Sequence, residues 1–144
     1  MNWQKIEKKY PKSFHKLVMS KTNGFNEYKI KPSGLYIRYQ KYGTRDLYDF
    51  FYKNDLICEL ILDYYNDDYP KNKEEIFWKF YVNDNSLDLG EHDICERKIA
   101  EKKGLKITFS ILEDKLKEEE TAYKISLKRL EDNLNEQIKK DDSL

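Results

Sequence analysis

Apolar and polar positions alternate most clearly in residues 56–65, the densest apolar segment of the chain. One face carries every second residue, namely Leu56, Cys58, Leu60, Leu62 and Tyr64. The residues between them are mixed in character. A strand has this pattern when one face packs on a core and the other is partly covered. We therefore predict a strand here, with Cys58 on its buried face, in the middle of a small antiparallel sheet.

A second alternating segment, residues 76–82, is predicted to pair antiparallel with the first. One of its faces would carry Ile76, Trp78, Phe80 and Val82, and the other Phe77, Lys79, Tyr81 and Asn83. Residues 83–90 follow it as a polar loop. Earlier in the chain, residues 28–31 and 35–39 flank Pro32-Ser33-Gly34, a sequence typical of turns, and are predicted to form a hairpin.

Helical spacing marks residues 2–22, but Pro11 interrupts the pattern because proline is disfavoured inside a helix. We expect a short helix, a break at Tyr10-Pro11, and a second helix ending near Ser20. A third short helix is predicted over residues 44–52, because apolar side chains there are spaced i, i+3 and i+4. Those side chains are Leu47, Phe50 and Phe51.

The chain has helical spacing again from about Asp93 to about Lys140, a stretch without proline. Apolar residues recur there at intervals of four, three and four, at Leu105, Phe109, Leu112 and Leu116 and again at Tyr123, Leu127, Leu130 and Leu134. One long helix is predicted, or two in line with a joint near residues 118–121. Residues 106–112 also alternate, so a strand is the alternative there. Gly104 weakens the helix by about 1 kcal/mol relative to alanine.

These elements predict an α+β fold, with a small antiparallel sheet of about four strands packed by N-terminal helices and a long C-terminal helix. We assign residues 1–116 to a globular domain and residues 117–144 to a helical extension. A helix that outruns a small domain exposes an apolar stripe, which another chain often covers in a coiled coil. Self-association through the C-terminal helix is therefore expected.

The net charge of zero hides an uneven distribution. Residues 1–53 carry a net charge of +8, whereas residues 54–112 carry −5 and residues 113–144 carry −3. A dipolar surface of this kind can steer partners. The alternative is that the oppositely charged parts fold against each other and the charges are simply solvated.

Basic and aromatic residues are interleaved in the N-terminal third. The bases are Lys5, Lys8, Lys9, Lys12, Lys16, Lys29, Lys31, Arg38 and Lys41, and the nearby aromatics are Tyr28, Tyr36, Tyr39 and Tyr42. Such residues can contact phosphates and stacked bases. However, the segment contains little arginine and no signature of a known nucleic-acid-binding fold. A solvated lysine face beside buried tyrosines is the alternative.

Catalytic, metal and cofactor chemistry has little support in the sequence. The five glycines are scattered, so no phosphate-binding loop is predicted. His92 and Cys95 lack a second pair of metal ligands, and acids at a helix start explain that segment equally well. Neither this pair nor His15 beside Ser13 has a third group to orient a nucleophile. We predict no catalytic residue, no metal and no cofactor, and hence a protein that is not an enzyme.

Two cysteines without a spacing motif indicate reduced thiols, with a disulfide between Cys58 and Cys95 as the minor alternative. The first residues contain no apolar segment of the kind that signal peptides have. No apolar run approaches the length of a membrane span. We therefore expect the protein in the cytoplasm, of its own cell or of a host, without membrane contact.

The segment Arg45-Asp46-Leu47-Tyr48-Asp49-Phe50-Phe51 resembles a helix of small uncharacterised proteins encoded by phages and prophages of AT-rich bacteria. Tyr10-Pro11 and residues 111–116 match the same order, so the resemblance covers roughly residues 2–116. It implies a broken N-terminal helix, a short helix, a strand pair and a C-terminal helix. It also implies a host-directed interaction protein, such as an inhibitor of a host defence factor or a CRISPR effector, whose partner is a host protein or ribonucleoprotein.

We predict a non-enzymatic protein-binding module, with RNA or DNA binding through the basic N-terminal third as the alternative function. Its working surface is expected on the basic N-terminal third, the tyrosine-rich loops or the tail rather than on the central strand. Aromatic side chains make good interface anchors. The candidate interaction residues are Lys5, Lys8, Lys9, Lys12, Lys16, Tyr36, Arg38, Tyr42, Tyr65, Tyr69, Tyr123, Leu127, Leu130 and Leu134.

Overall fold

The computed structural model describes residues 1–21, 44–65, 76–90 and 94–143. Within these stretches the chain forms four helices and three strands. They are α1 (Trp3–Lys9), α2 (Pro11–Lys21), α3 (Thr44–Lys53), β1 (Cys58–Tyr64), β2 (Ile76–Val82), β3 (Asn85–Ser86) and α4 (Arg97–Asp142). The predicted α+β class is confirmed. The hairpin predicted for residues 28–31 and 35–39 lies outside the described residues.

The chain divides into two compact units, Met1–Glu113 and Asp114–Leu144. The boundary expected from the sequence lay between residues 116 and 117. The first part of helix α4 belongs to the first unit, and the rest of the helix forms the second unit.

The predicted break between the first two helices is confirmed. The Asn2 side chain caps α1 by accepting a hydrogen bond from the Lys5 backbone N–H at 3.2 Å. Tyr10 ends α1 with φ −130°, and α2 begins at Pro11, where a missing N–H costs the helix nothing. Both helices bury apolar residues, which are Trp3, Ile6, Phe14, Leu17 and Val18.

The three described strands form one antiparallel sheet in the order β1-β2-β3. Leu60 pairs with Phe80 in the first ladder, and Val82 pairs with Asn85 in the second. The prediction that β1 lies in the middle was therefore wrong for the described strands, as was the count of about four. Asn83 and Asp84 have φ values of 49° and 65°. Two left-handed residues in succession allow the tight hairpin turn that returns β3 onto β2.

The predicted alternation along β1 holds for its first half only. Leu56 is buried, and Cys58 and Leu60 are half-buried. Leu62 and Tyr64, predicted on the same buried face, are 43% and 40% exposed, so that part of the prediction was wrong. The side chain of Thr108 in α4 lies 3.9 Å from the Cys58 sulfur. The helix thus covers the end of the strand at which Cys58 lies.

The core of the first unit is aromatic. Phe51 and Phe109 are fully buried and meet edge to face with ring centroids 4.8 Å apart, and Trp3 meets Phe109 in the same way at 6.2 Å. Phe80, also fully buried, lies directly against Gly104. Residues 105–112 are helical, so the alternative of a strand there was wrong. The absence of a side chain on Gly104 lets β2 and α4 approach closely.

Glu113 caps helix α2 although about 100 residues separate them along the chain. Its carboxylate, only 2% exposed, accepts hydrogen bonds from the backbone N–H groups of Lys12 at 3.2 Å and Ser13 at 2.8 Å. The Ser13 hydroxyl donates to the Phe109 carbonyl at 3.0 Å. A negative charge at a helix N-terminus satisfies otherwise unpaired donors and is favoured by the helix dipole. This contact joins α2 to α4.

Candidate protein-interaction surface

The second unit is a charged helix with one row of exposed apolar side chains. Every described residue from 121 to 143 is exposed. We call the row formed by Tyr123, Leu127, Leu130, Leu134 and Ile138 the tail stripe. Its side chains are between 41% and 64% exposed. Contiguous exposed apolar side chains make this row a candidate interaction surface.

The tail stripe is narrow because of its spacing. At about 100° per residue, its five members fall within an arc of about 80°. Ile125, which is 49% exposed, lies on the far side of the helix from them. The intervals of four, three and four between Tyr123 and Leu134 are those of a coiled-coil seam. A second helix lying along the stripe would touch all four of these residues.

Local interactions support the helix that carries the stripe. Lys124 and Glu120 form an ion pair at 3.0 Å, one turn apart. The hydroxyls of Thr121 and Ser126 donate to backbone carbonyls four residues earlier, at 3.0 Å each. Each ion pair of this kind stabilises a helix by only a few tenths of a kcal/mol. Most helical stability in proteins comes from packing of an apolar face. A partner that covered the stripe would therefore stabilise this helix more than these local contacts do.

The remaining candidate residues are spread over the first unit. Lys5, Lys8, Lys9 and Lys16 are exposed on α1 and α2, and Lys12 is half-buried. Tyr65 is exposed beyond β1, and its ring lies 4.8 Å from that of Phe77. Tyr36, Arg38, Tyr42 and Tyr69 lie outside the described residues. The structure therefore places five lysines on one helical pair and leaves their predicted aromatic neighbours undescribed.

Helix α4 adds basic residues near the chain's first residue. Burial lowers the pKa of the Met1 amino group, and the positive charges of Lys102 and Lys106 lie close enough to lower that pKa further. Lys98, Lys102 and Lys106 are exposed and one turn apart. Their spacing was visible in the sequence, but they belong to a segment with a net negative charge. Only the packing of α1 beside α4 shows that two of them, Lys102 and Lys106, lie close to Met1.

The two cysteines are free thiols, so the disulfide alternative was wrong. Burial raises the pKa of Cys58 to about 11, and a hydrogen bond with Thr108 opposes that shift. The pKa of Tyr48 is also raised, first by burial and then by the hydrogen bond that its hydroxyl donates to Glu101 at 3.0 Å. Both shifts keep these groups protonated at neutral pH.

Among the described residues, no three His, Cys, Asp or Glu side chains are grouped closely enough to hold a metal ion. His92 lies outside them. In the same part of the chain, no helix combines the length and apolar character that crossing a membrane requires.

No protein-family model, curated protein or solved structure matches the chain. The resemblance of residues 45–51 to phage-encoded proteins therefore stays a prediction.

Proposed function

We propose that the chain is a protein-binding module and that the tail stripe is its binding surface. The occupant of the stripe is an α-helical protein segment, because the apolar intervals of four and three residues fit the side chains of a second helix. The observation that carries the proposal is the exposure of Tyr123, Leu127, Leu130 and Leu134 along one side of a helix that nothing in its own unit covers.

Charge supports the choice of a protein over a membrane as the occupant. Both flanks of the stripe carry acidic as well as basic side chains, such as Glu119, Lys124, Glu131 and Lys140. A helix that lies on an anionic membrane surface has a polar face rich in lysine and arginine. Mixed charges beside an apolar seam are instead typical of coiled-coil partners, in which they select partner and orientation.

The test compares two variants of equal charge change. Leu127→Lys with Leu134→Lys places two lysines in the stripe, and Ile125→Lys with Asn135→Lys places two outside it. Proteins retained from a cell lysate by the full-length wild-type chain are identified, purified and titrated against each form. The proposal predicts that the stripe variant binds at least about thirtyfold more weakly than the control variant. Equal binding by the two variants would contradict it.

Nucleic-acid binding is the second candidate. It is favoured by the exposed lysines of α1 and, separately, by Lys102 and Lys106, which lie close to Met1. The test is fluorescence anisotropy of labelled single-stranded and duplex RNA and DNA at about 50 mM salt, where phosphate contacts are strong. Lys102→Glu with Lys106→Glu should abolish binding, whereas Lys139→Glu with Lys140→Glu in the tail should not. An absence of binding by the wild-type chain excludes this function.

A host defence factor as the partner, a cytoplasmic site of action and the lack of an enzymatic activity are further parts of the proposal. They rest on the resemblance of residues 45–51 and on the composition of the chain. The identification of the captured proteins in the first test decides the nature of the partner.

A further inference from the structure

We infer that the helix bound by the tail stripe is the same helix of a second copy of this chain, lying antiparallel to the first. This inference rests on the proposed function, because it names the partner of the same surface. It is argued from the order of apolar and charged residues in the second unit, Asp114–Leu144.

The stripe defines a heptad repeat. Intervals of four, three and four place Leu127 and Leu134 at position a and Tyr123 and Leu130 at position d. The same repeat assigns Glu120 to the preceding a position. Ile138 falls one residue beyond the following d position and flanks the seam rather than lying in it.

An antiparallel pair gives these residues a consistent register. In such a pair, position a of one helix lies opposite position d of the other. Leu127 then lies opposite Leu130 of the second copy, and Tyr123 lies opposite Leu134 of the second copy. Twofold symmetry repeats both contacts, so the seam has four apolar layers.

The polar ends of the seam also favour this orientation. In the antiparallel register, Glu120 lies opposite Gln137 of the second copy, where an amide can donate to a carboxylate. In a parallel pair, Glu120 would lie beside Glu120 of the second copy. Two carboxylates facing each other across a seam repel, and this repulsion acts against the parallel arrangement.

The charges beside the seam are complementary in the same register. Lys124 at position e lies opposite Glu131 of the second copy, and Glu119 at position g lies opposite Lys140 of the second copy. Symmetry doubles each contact, which gives four attractive pairs. A parallel pair retains only the two contacts between Glu119 and Lys124. Each surface pair is weak, but together they select the orientation.

The seam is short, and association carries a large entropic cost. With four apolar layers we expect a reversible dimer with a dissociation constant on the order of 10 µM. Such a dimer would bury the stripe at high protein concentration and release it for a different helical partner at low concentration.

A charge-swap cycle on the full-length chain tests the orientation. Sedimentation equilibrium is used to measure the dimer dissociation constant of Lys124→Glu, of Glu131→Lys and of the double variant. Each single change replaces two attractive contacts by two repulsive ones, and we expect weakening of about tenfold. The double variant exchanges the partners and should return to within about twofold of wild type. Lys139→Glu, on the helix face away from the seam, is the matched control and should leave the constant unchanged.

Three results would overturn the inference. A dimer dissociation constant unchanged by Glu131→Lys would indicate a parallel pair, because only Lys124 of these two residues faces an opposite charge there. A double variant that dimerises as weakly as Lys124→Glu would indicate the same. The pair of Lys124 with Glu120 within the helix is lost in both Lys124 variants, so its loss cannot produce a rescue. A wild-type chain that stays monomeric up to several hundred micromolar would exclude the second copy. That last result would not contradict the proposed function, which the capture experiment tests separately.

Discussion

Replacing Gly104 by alanine sets two effects of opposite sign against each other. In an open helix the change would be stabilising by about 1 kcal/mol, because alanine has the higher helix propensity. At this position, an added Cβ would lie 2.7 Å from Cδ1 of Phe80 and closer still to two other carbons of the same ring. Phe80 is fully buried, so its ring has no solvent to move into.

The cost of overfilling the core should exceed the gain in helix propensity. Overfilling a well-packed core typically costs about 1–3 kcal/mol, and the contact with the Phe80 ring is closer than van der Waals distance, so the upper end applies. Subtracting the propensity gain leaves a loss of about 2 kcal/mol in the free energy of unfolding. For a unit of this size, that loss lowers the midpoint of thermal unfolding by about 8 °C.

Urea denaturation followed by tryptophan fluorescence measures this loss in the first unit, which contains both Trp3 and Trp78. Phe80→Leu in the Gly104→Ala background removes part of the ring, and the double variant should lose less stability than the sum of the single changes. Asn135→Ala, exposed in the tail, is the control for helix propensity without packing. A Gly104→Ala chain as stable as wild type, or more stable, would refute the close approach of β2 and α4.

Two further predictions concern buried polar groups. Glu113→Ala leaves the backbone N–H groups of Lys12 and Ser13 without their acceptor, so unfolding should become easier by about 2–4 kcal/mol, and an unchanged urea midpoint would contradict the cap. Because the pKa of Cys58 is raised to about 11, its thiol should react with iodoacetamide at pH 8 far more slowly than exposed Cys95, as mass spectrometry of a time course can show. The raised pKa of Cys58 also makes the free energy of unfolding depend on pH, because the folded state favours the neutral thiol. This contribution to stability is complete below pH 9 and is lost as the pH rises toward 11. A free energy of unfolding that increases over this range would contradict the shift.

Helices were the part of the fold best predicted from the sequence. Their apolar residues are local and repeat every 3–4 positions, and Pro11 marks the break between α1 and α2 directly. The tail stripe was found in the same way, since its spacing does not depend on distant residues. Its exposure was expected because the helix outruns a small domain, and the structure shows it.

Features that join distant parts of the chain could not be predicted. Strand β3 was missed for a different, local reason: it has only two residues and follows a tight turn at Asn83 and Asp84, so no alternating pattern marks it. The cap by Glu113 and the basic cluster of Lys102 and Lys106 beside Met1 depend on how helices pack, which periodicity does not encode. The exposed half of β1 was missed for the same reason, because alternation identifies a face but not what covers it.

Hydrogen exchange of the full-length chain at two concentrations tests most directly whether the tail stripe is covered by another helix. An uncovered helix opens locally and exchanges its amides quickly, whereas a helix in an interface is protected. Between about 5 µM and 500 µM, exchange at residues 120–137 should slow by about tenfold, while exchange in β2 stays unchanged as an internal control. Equal exchange of the tail at both concentrations would contradict burial of the stripe against a second copy of the chain.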